Sequence, residues 1–468
     1  MALARMSNVN LNRRLLCGKQ RPTLRRANSV KPVCAQAGSV NVLLVGNGGR
    51  EHSLAWRMSQ SDSTKQVYVA PGNPGTEAEE KVTNVALNTS KHSDVVQFCK
   101  EKGVHLVVVG PEAPLVAGLA DDLAMADIPC WGPSAKAAQL EGSKAFMKDI
   151  LKKYNIPTAV YEKFVDPDMA KDFIKGLGAN VVVKTSGLAA GKGVLIPQNL
   201  EEAFAAVDDL MVKKIFGDAG DQIIVEEFLD GEEASFFALV NGEESIAMAA
   251  AQDHKAVLEG DTGPNTGGMG SYSPASIVTP EISKQVMDEI VYRTARGMAA
   301  EGHPFRGTLF AGLMIKDGRA KLLEHNVRFG DPECQTLMAR TQGDFTEALL
   351  QAATGRMQDV QLAYKQDAGL TVVVAANGYP GSYPKGSVIK GTDTVSGAKV
   401  FHAGTALNAN GELISAGGRV LNVTATGNDV VEAQANAYKG CSQIQWADAY
   451  YRKDIGWKDV ARFKGARV

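Results

Sequence analysis

Lys184-Thr185-Ser186-Gly187-Leu188-Ala189-Ala190-Gly191-Lys192-Gly193-Val194 decides the reading of this chain. The β-branched run Val181-Val182-Val183 leads into it and has the pattern of a buried strand. The strand breaks into a loop of three glycines and two alanines punctuated by lysines. Glycines let backbone N–H groups crowd a phosphate, and lysines neutralise its charge. A nucleoside triphosphate is therefore the first ligand to consider. The spacing is not that of a P-loop, which needs four residues between its glycines and Ser or Thr after the lysine. Here three residues separate Gly187 from Gly191, and Gly193 follows Lys192. Taken alone, the stretch also fits a glycine-rich connection whose lysines are merely solvated.

Upstream, Val40–Val45 reads as a strand ending in Gly46-Asn47-Gly48-Gly49-Arg50-Glu51-His52, with a helical stretch from Ser53 to Met58. A helix start after a glycine turn offers free N–H groups to a phosphate. The third glycine of a dinucleotide fingerprint is missing, because Glu51 stands there. A second strand, Gln66–Ala70, ends in Pro71-Gly72-Asn73, and a third, His105–Val109, ends in Gly110-Pro111-Glu112. Three parallel strands with such C-terminal loops make a ligand crevice, better suited to a small phosphorylated molecule than to NAD. Ser143 is placed to cap a helix that carries Lys144 in its first turn, a poor position for a cation against the helix dipole.

Downstream, Leu200–Met211 reads as an amphipathic helix, and Gln222–Val225 and Ser235–Val240 as strands joined by the acidic run Glu226–Glu233. Such a linker can lend backbone groups to an adenine and a carboxylate to a ribose. Gly260–Gly270 holds five glycines in eleven residues and reads as a loop that covers a ligand. His254 before it reads as a structural histidine. Gly307–Ile315 and Lys321–Leu323 are apolar strands, and Glu324 and Asn326 then share one face. One carboxylate and one amide oxygen side by side suit Mg²⁺, which completes its shell with phosphate and water. Arg328 follows on that face with a planar fork suited to a carboxylate. Strands Leu370–Ala376 and Arg419–Thr424 and a helix over Asp429–Gln445 read as a separate α+β domain.

A length of 468 residues suggests two to four domains. The first 40 residues stand apart: eight Lys and Arg, no Asp or Glu before Glu51, and no apolar core. That is the composition of an organelle transit peptide, with Val33-Cys34-Ala35 suited to plastid processing; a basic tail that binds nucleic acid is the alternative. Of 50 basic residues, removal of those eight leaves 42 against 52 acidic, a body of net charge −10 that argues against polyanionic partners. No apolar run is long enough to span a bilayer. Cys99, Cys130, Cys334 and Cys441 are scattered, which argues against a zinc or disulfide framework.

Five segments in order — Gly46–His52, Gly110–Leu115, Gly187–Val194, Thr262–Gly270 and Arg328–Glu333 — closely resemble the glycinamide ribonucleotide synthetase family of the ATP-grasp superfamily, over roughly residues 41 to 460. The resemblance implies an α/β and α+β multidomain fold. Residues 1–38 would be the transit peptide, and 39–141 an α/β domain with a parallel sheet that holds phosphoribosylamine. Residues 142–368 would form the ATP-grasp domain with a lid at about 160–230, and 369–468 a C-terminal domain. It implies ligation of glycine to 5-phosphoribosylamine with ATP and Mg²⁺ or Mn²⁺ through glycyl phosphate. The protein is expected to be a monomer without nucleic-acid or membrane partners, and the leader's composition points to the chloroplast, with the mitochondrion as an alternative or second destination.

By the same resemblance, Lys144 and Lys184 would touch ATP, under a flap that includes Gly187, Gly191, Lys192 and Gly193. Glu226 and the Phe228 and Leu229 backbone would meet adenine, with Glu233 on the ribose. Gly46, Asn47, Gly48, Gly49, Arg50 and Glu51 would cradle the substrate phosphate, with Gly72, Asn73, Gly110, Pro111 and Glu112. Asn265, Thr266, Gly267, Gly268, Asp331 and Pro332 would complete the substrate site. Glu324 and Asn326 would bind the metal. Arg328, Asp253 and Lys184 would be catalytic. The chain departs from the family at Ser186, where a carboxylate is usual, and at His325, where an aromatic residue is usual. Two rivals stand beside this reading: another ATP-grasp ligase, and a silent nucleotide-binding protein, against which the retained Glu324 and Asn326 weigh.

Overall fold

Val42-Leu43-Leu44-Val45 and Leu106-Val107-Val108-Val109 are buried throughout, as parallel strands covered on both faces must be. They belong to β1 (Val40–Gly46) and β4 (Leu106–Val109), which pair in parallel. β2 (Thr64–Pro71) and β3 (Val82–Asn84) extend the sheet on one side and β5 (Cys130–Trp131) on the other, in the order β3-β2-β1-β4-β5. Strand order reverses between β1 and β4, which opens a crevice at their C-terminal ends. This computed structural model describes residues 38–178, 180–187 and 193–466. The transit-peptide reading, apart from its last residue, and the calls on Gly191 and Lys192 fall outside the described residues.

The helix after β1 is α1, Gly49–Ser59, and it starts four residues earlier than the sequence suggests. Glu51 is the cause. Its carboxylate turns back to accept the Gly48 N–H at 2.6 Å, which caps the first turn and lets Gly49 and Arg50 become helical.

Two antiparallel sheets follow. β6 (Tyr161–Phe164), β7 (Val181–Thr185), β8 (Val194–Leu195) and β9 (Ile223–Glu227) form one, in the order β6-β9-β7-β8. The apolar faces of helices Pro167–Leu177 and Leu200–Val207 close a small core with it, including Ile174, Val183, Val207 and Val225. The expected helix to Met211 keeps α geometry only to Val207 and finishes as a π-turn over Asp208–Val212. The second sheet contains β10 (Glu232–Asn241) and β11 (Glu244–Ala247), with two later strands, Arg306–Lys316 and Arg319–Asn326. Glu226, Glu232 and Glu233 are thus strand residues, and the connection shortens to residues 228–231.

A one-residue bulge interrupts the pairing of the last two strands: Leu313 faces Leu322, but Gly312 faces Glu324. Its effect is visible in burial. Ala320 and Leu322 point into the core before the bulge, His325 and Val327 after it. Strict alternation from Leu322 would have buried Glu324 and Asn326; the bulge turns both toward the cavity instead.

The tail does form an α+β unit around the fully buried strand Ala368–Ala376, with strands Lys399–His402 and Arg419–Gly427 and helix Val430–Cys441. Its sheet also takes two strands from far upstream, β12 (Gln252–Asp253) and β13 (Gly270–Ser273), the latter paired along Gly369–Val372. Backbone hydrogen bonds therefore cross the expected boundary at residue 369. Among the described residues no helix is long and apolar enough to cross a membrane.

Candidate active site

Gly46 and Gly110, at the ends of β1 and β4, make room for a side chain. A Cβ on either would fall 2.0–2.6 Å from Glu51, and Gly46 has φ +130°. The buried Glu51 carboxylate fills the switch point, where Arg50 Nε donates to it at 2.5 Å. Arg50 also donates to the Phe329 carbonyl at 3.1 Å, locking this crevice to the residues after Asn326. Asn73 is spent internally: its oxygen accepts from Gly75 and Thr76, and its amide donates to the carbonyls of Asn47 and His402. Of the expected cradle, Arg50 and Glu112 face a large cavity of about 440 Å³, and Asn47 and Gly48 a neighbouring one of about 280 Å³. Gly46, Gly49, Glu51, Gly72, Asn73, Gly110 and Pro111 line neither and form the frame instead.

The large cavity lies between the two antiparallel sheets. Lys144, Lys184, Gly193, Glu226, Phe228, Leu229 and Glu233 line it as expected; Gly187 does not. Lys184 Nζ donates to Glu226 Oε2 at 3.0 Å. A second lysine, Lys148, reaches the other oxygen of that carboxylate at 3.0 Å. Burial pushes Glu226 up, but Lys184 and Lys148 outweigh it and hold the group below the ordinary carboxylate range.

Glu324 and Asn326 face the same space. Among the described residues neither side chain has a hydrogen-bond partner. Burial would raise Glu324, yet Lys144, Lys255, Lys184 and Arg328 together pull it down, so it stays ionised. No group of three His, Cys, Asp or Glu gathers to hold a metal among the described residues. A free carboxylate and a free amide oxygen, with room for phosphate and water, fit a hard divalent cation of the magnesium kind.

Asp253 also lines the cavity, and burial, only partly opposed by Lys255, pushes its carboxyl up to about 7. Arg328 lines it too, but its fork is turned to the protein: Nη2 donates to Glu141 at 2.7 Å, and Nε lies 3.4 Å from Glu112. The expected pairing of that fork with a substrate carboxylate thus meets an arginine already engaged. Asn265, Thr266, Gly267 and Asp331 line the cavity, whereas Gly268 and Pro332 do not. Arg419, from the C-terminal sheet, gathers these loops. It donates to the carbonyls of Gly267 at 2.6 Å and Asp331 at 2.7 Å, and pairs with the Asp331 carboxylate at 3.4 Å.

Comparison with known proteins accounts for this arrangement. Models for the N domain, ATP-grasp (A) domain and C domain of phosphoribosylglycinamide synthetase match residues 40–141, 142–334 and 369–458. The chain belongs to the phosphoribosylglycinamide synthetase family. It is similar to the phosphoribosylamine–glycine ligase of Rhizobium meliloti (strain 1021), with 54% identity over 424 residues, 90% of this chain and 99% of that one. The chloroplastic phosphoribosylamine–glycine ligase of Arabidopsis thaliana is 52% identical over 446 residues, 91% of this chain and 84% of that one. The crystal structure of the Thermotoga maritima ligase superposes with a TM-score of 0.78 at 32% identity, covering 89% of this chain and 100% of that one.

Within this synthetase fold, sequence reasoning missed three charged residues at the cavity, Glu141, Lys255 and Arg419, and a fourth behind it, Lys148, which pairs with Glu226. Each acts through a partner distant in the chain, so no local pattern marks it. Lys255 pairs with Glu233, the residue expected on the ribose. His254 is structural as expected, with Nε2 accepting from Gly456 and Nδ1 bonded to Asp261.

The two departures from the synthetase pattern acquire physical readings. Ser186 Oγ accepts the Ala145 N–H at 3.2 Å and its carbonyl accepts from Lys144 at 2.9 Å, so it caps helix Lys144–Lys153 across the chain together with Ser143. Ser186→Ala is expected to lower stability by about 1 kcal/mol, while Ser186→Asp retains an acceptor and adds a favourable charge at the helix start. Urea unfolding checks both, and a neutral alanine variant would remove the capping role.

His325 is buried, bonded to Thr294 Oγ1 at 3.0 Å and near the Phe310 carbonyl at 3.3 Å. Burial lowers its pKa to about 4, below the ordinary value of a free histidine. Its folded pKa is the depressed one, so its contribution is complete above about pH 6.5 and is lost as pH falls toward 4. Stability should drop by about 2 kcal/mol between pH 7 and pH 5 from this group, and the drop should shrink in His325→Phe. Denaturant titrations at the two pH values decide it.

Proposed function

We propose that the protein joins glycine to 5-phosphoribosylamine, converting ATP to ADP and phosphate, in purine biosynthesis. The observation that carries this is the large cavity, where a nucleotide clamp, the free Glu324–Asn326 pair and the crevice of the N-terminal sheet meet. Lys144 and Lys184 neutralise the triphosphate, and the backbone of Phe228 and Leu229 faces the adenine. Glu324 and Asn326 would hold Mg²⁺ or Mn²⁺, which supplies charge neutralisation at the phosphates. A carboxylate is a poor acyl donor, so glycine is first activated as glycyl phosphate, and positioning and electrostatics do most of that work. The amine of phosphoribosylamine then attacks the acyl carbon, phosphate leaves, and Asp253 is poised to accept the proton the amine loses.

No protein nucleophile takes part. Cys99, Cys130, Cys334 and Cys441 are buried, and burial pushes each thiol far above neutrality, so none supplies a thiolate. Arg50 and Glu112 approach the substrate from the N-terminal unit. Arg328, positioned by Glu141 and Glu112, faces the reacting groups, and Asn265, Thr266, Gly267 and Asp331 close over them.

The chain divides for this work into residues 39–141, 142–368 and 369–468, with the lid at about 160–230 and strands from 252–273 lent to the last unit. The protein acts as a monomer in this reading. The basic leader directs the protein to the plastid, a reading supported by the name of the Arabidopsis relative; a mitochondrial destination has no such support. N-terminal sequencing of the mature protein is expected to start near residue 35, and intact Met1 on protein from plastids would overturn this.

The functional test mixes protein, ATP, Mg²⁺, glycine and freshly made phosphoribosylamine. Phosphate release dependent on both glycine and the amine is expected. Release that ignores either one, or no release, would sink the assignment.

A further inference from the structure

Lys148 is wholly buried and lines neither of the two cavities described above. Its ammonium lies 3.0 Å from Glu226 Oε1, donates to Thr158 Oγ1 at 2.8 Å, and sits 4.8 Å from the centre of the Tyr161 ring. Thr158 in turn donates to the Leu322 carbonyl at 2.7 Å, which fixes the acceptor. Lys148 belongs to helix Lys144–Lys153, while Glu226 and Lys184 stand on β9 and β7 of the lid sheet. One buried carboxylate therefore has two ammonium partners from two different layers. A single partner would satisfy its charge; the second is surplus.

The two lysines are not equivalent. Lys184 lines the nucleotide cavity and Lys148 does not. A triphosphate entering the cavity attracts Lys184 away from Glu226. Were Lys184 the sole partner, that movement would strand a buried, ionised carboxylate, which is strongly unfavourable. We propose that Lys148 is a positioning residue, the fixed counter-ion of Glu226, and that it frees Lys184 to be handed from Glu226 to the nucleotide. This rests on the reading of Lys184 as a nucleotide ligand. The burial that pushes the Lys148 ammonium down to about 8 leaves it protonated at neutral pH, as the role needs.

The test measures binding of a magnesium-loaded, non-hydrolysable ATP analogue by calorimetry to the wild type, K184M, K148M, E226Q and K148M/E226Q. K148M is expected to weaken binding about tenfold, since Lys184 must then stay with Glu226. K148M/E226Q is expected to match E226Q within twofold, because without the carboxylate no counter-ion is required. A merely structural lysine would weaken binding equally in both backgrounds, and that additivity would overturn the proposal. Unchanged binding in K148M overturns it as well, provided K184M binds weakly; unchanged binding in K184M overturns the reading of Lys184 itself, and the proposal with it. Should K148M fail to fold, recovery of the fold in K148M/E226Q supports the counter-ion role, and failure of the double variant refutes it.

Discussion

In a Glu324→Ala variant, turnover is expected to fall by about a thousandfold while the protein still folds. The expectation follows from how this carboxylate is held. The bulge opposite Gly312 turns it out of the core, and no hydrogen bond among the described residues satisfies it. Four cations surround it: Lys144, Lys255, Lys184 and Arg328 each favour its ionised form. A group so free of structural partners, and so strongly kept anionic, is shaped for something that arrives with charge. Its removal deletes the one carboxylate of the proposed metal pair. Phosphate release measures the loss, and the thermal unfolding midpoint, expected to shift only slightly, shows that the fold persists. A variant with full turnover would refute the metal role. Asn326→Ala should cost less, since a neutral amide contributes less to binding a divalent cation than a carboxylate does.

The largest expected effect on stability lies at Arg452. This guanidinium is fully buried. It grips Asp454 through both carboxylate oxygens, at 2.8 and 2.7 Å, and reaches Asp261 at 2.9 Å and the Ala256 carbonyl at 3.0 Å. Asp261 also accepts from Lys458 at 2.9 Å and bonds His254 at 3.0 Å, so one hub ties the start of the glycine-rich cover to the C-terminal tail. Arg452→Met should cost about 3 kcal/mol, because it strands two carboxylates that keep only part of their hydration. For a chain of this size that corresponds to a drop of roughly 3 °C in the unfolding midpoint. Arg452→Lys should be nearly as harmful, since an ammonium cannot reproduce the two-pronged grip. An unchanged midpoint in Arg452→Met would show that the hub is not a stability element. Burial pushes Asp261 up, but His254 and Lys458 hold it far below the ordinary range. Its contribution is therefore present above about pH 4 and lost only in stronger acid.

The hub also shows what the sequence could and could not reveal. Five glycines in Gly260–Gly270 suggested a cover over a ligand, and Asn265, Thr266 and Gly267 do reach the cavity. The other half of that segment is anchored by residues almost two hundred positions away, and nothing local announces them. The parallel sheet and the lid strands were legible because continuous apolar runs and strand-end loops are local signals, and Glu324 and Asn326 because a spacing of two on a strand puts them on one face; that this face is the cavity depends on the bulge, which the sequence does not announce. The start of α1 was misread because its glycines look like loop, whereas Glu51 supplies the cap. Lys148, Glu141 and Arg419 were invisible because their meaning lies in partners brought together by the fold.

The strand Gly270–Ser273 has a consequence for synthesis of the chain. It leaves the ribosome about a hundred residues before its partner, Ala368–Ala376, is complete. At typical elongation rates that is about 5–20 s during which a sheet edge waits without its neighbour. The glycine-rich cover is thus completed along that edge only when the last hundred residues add their strand.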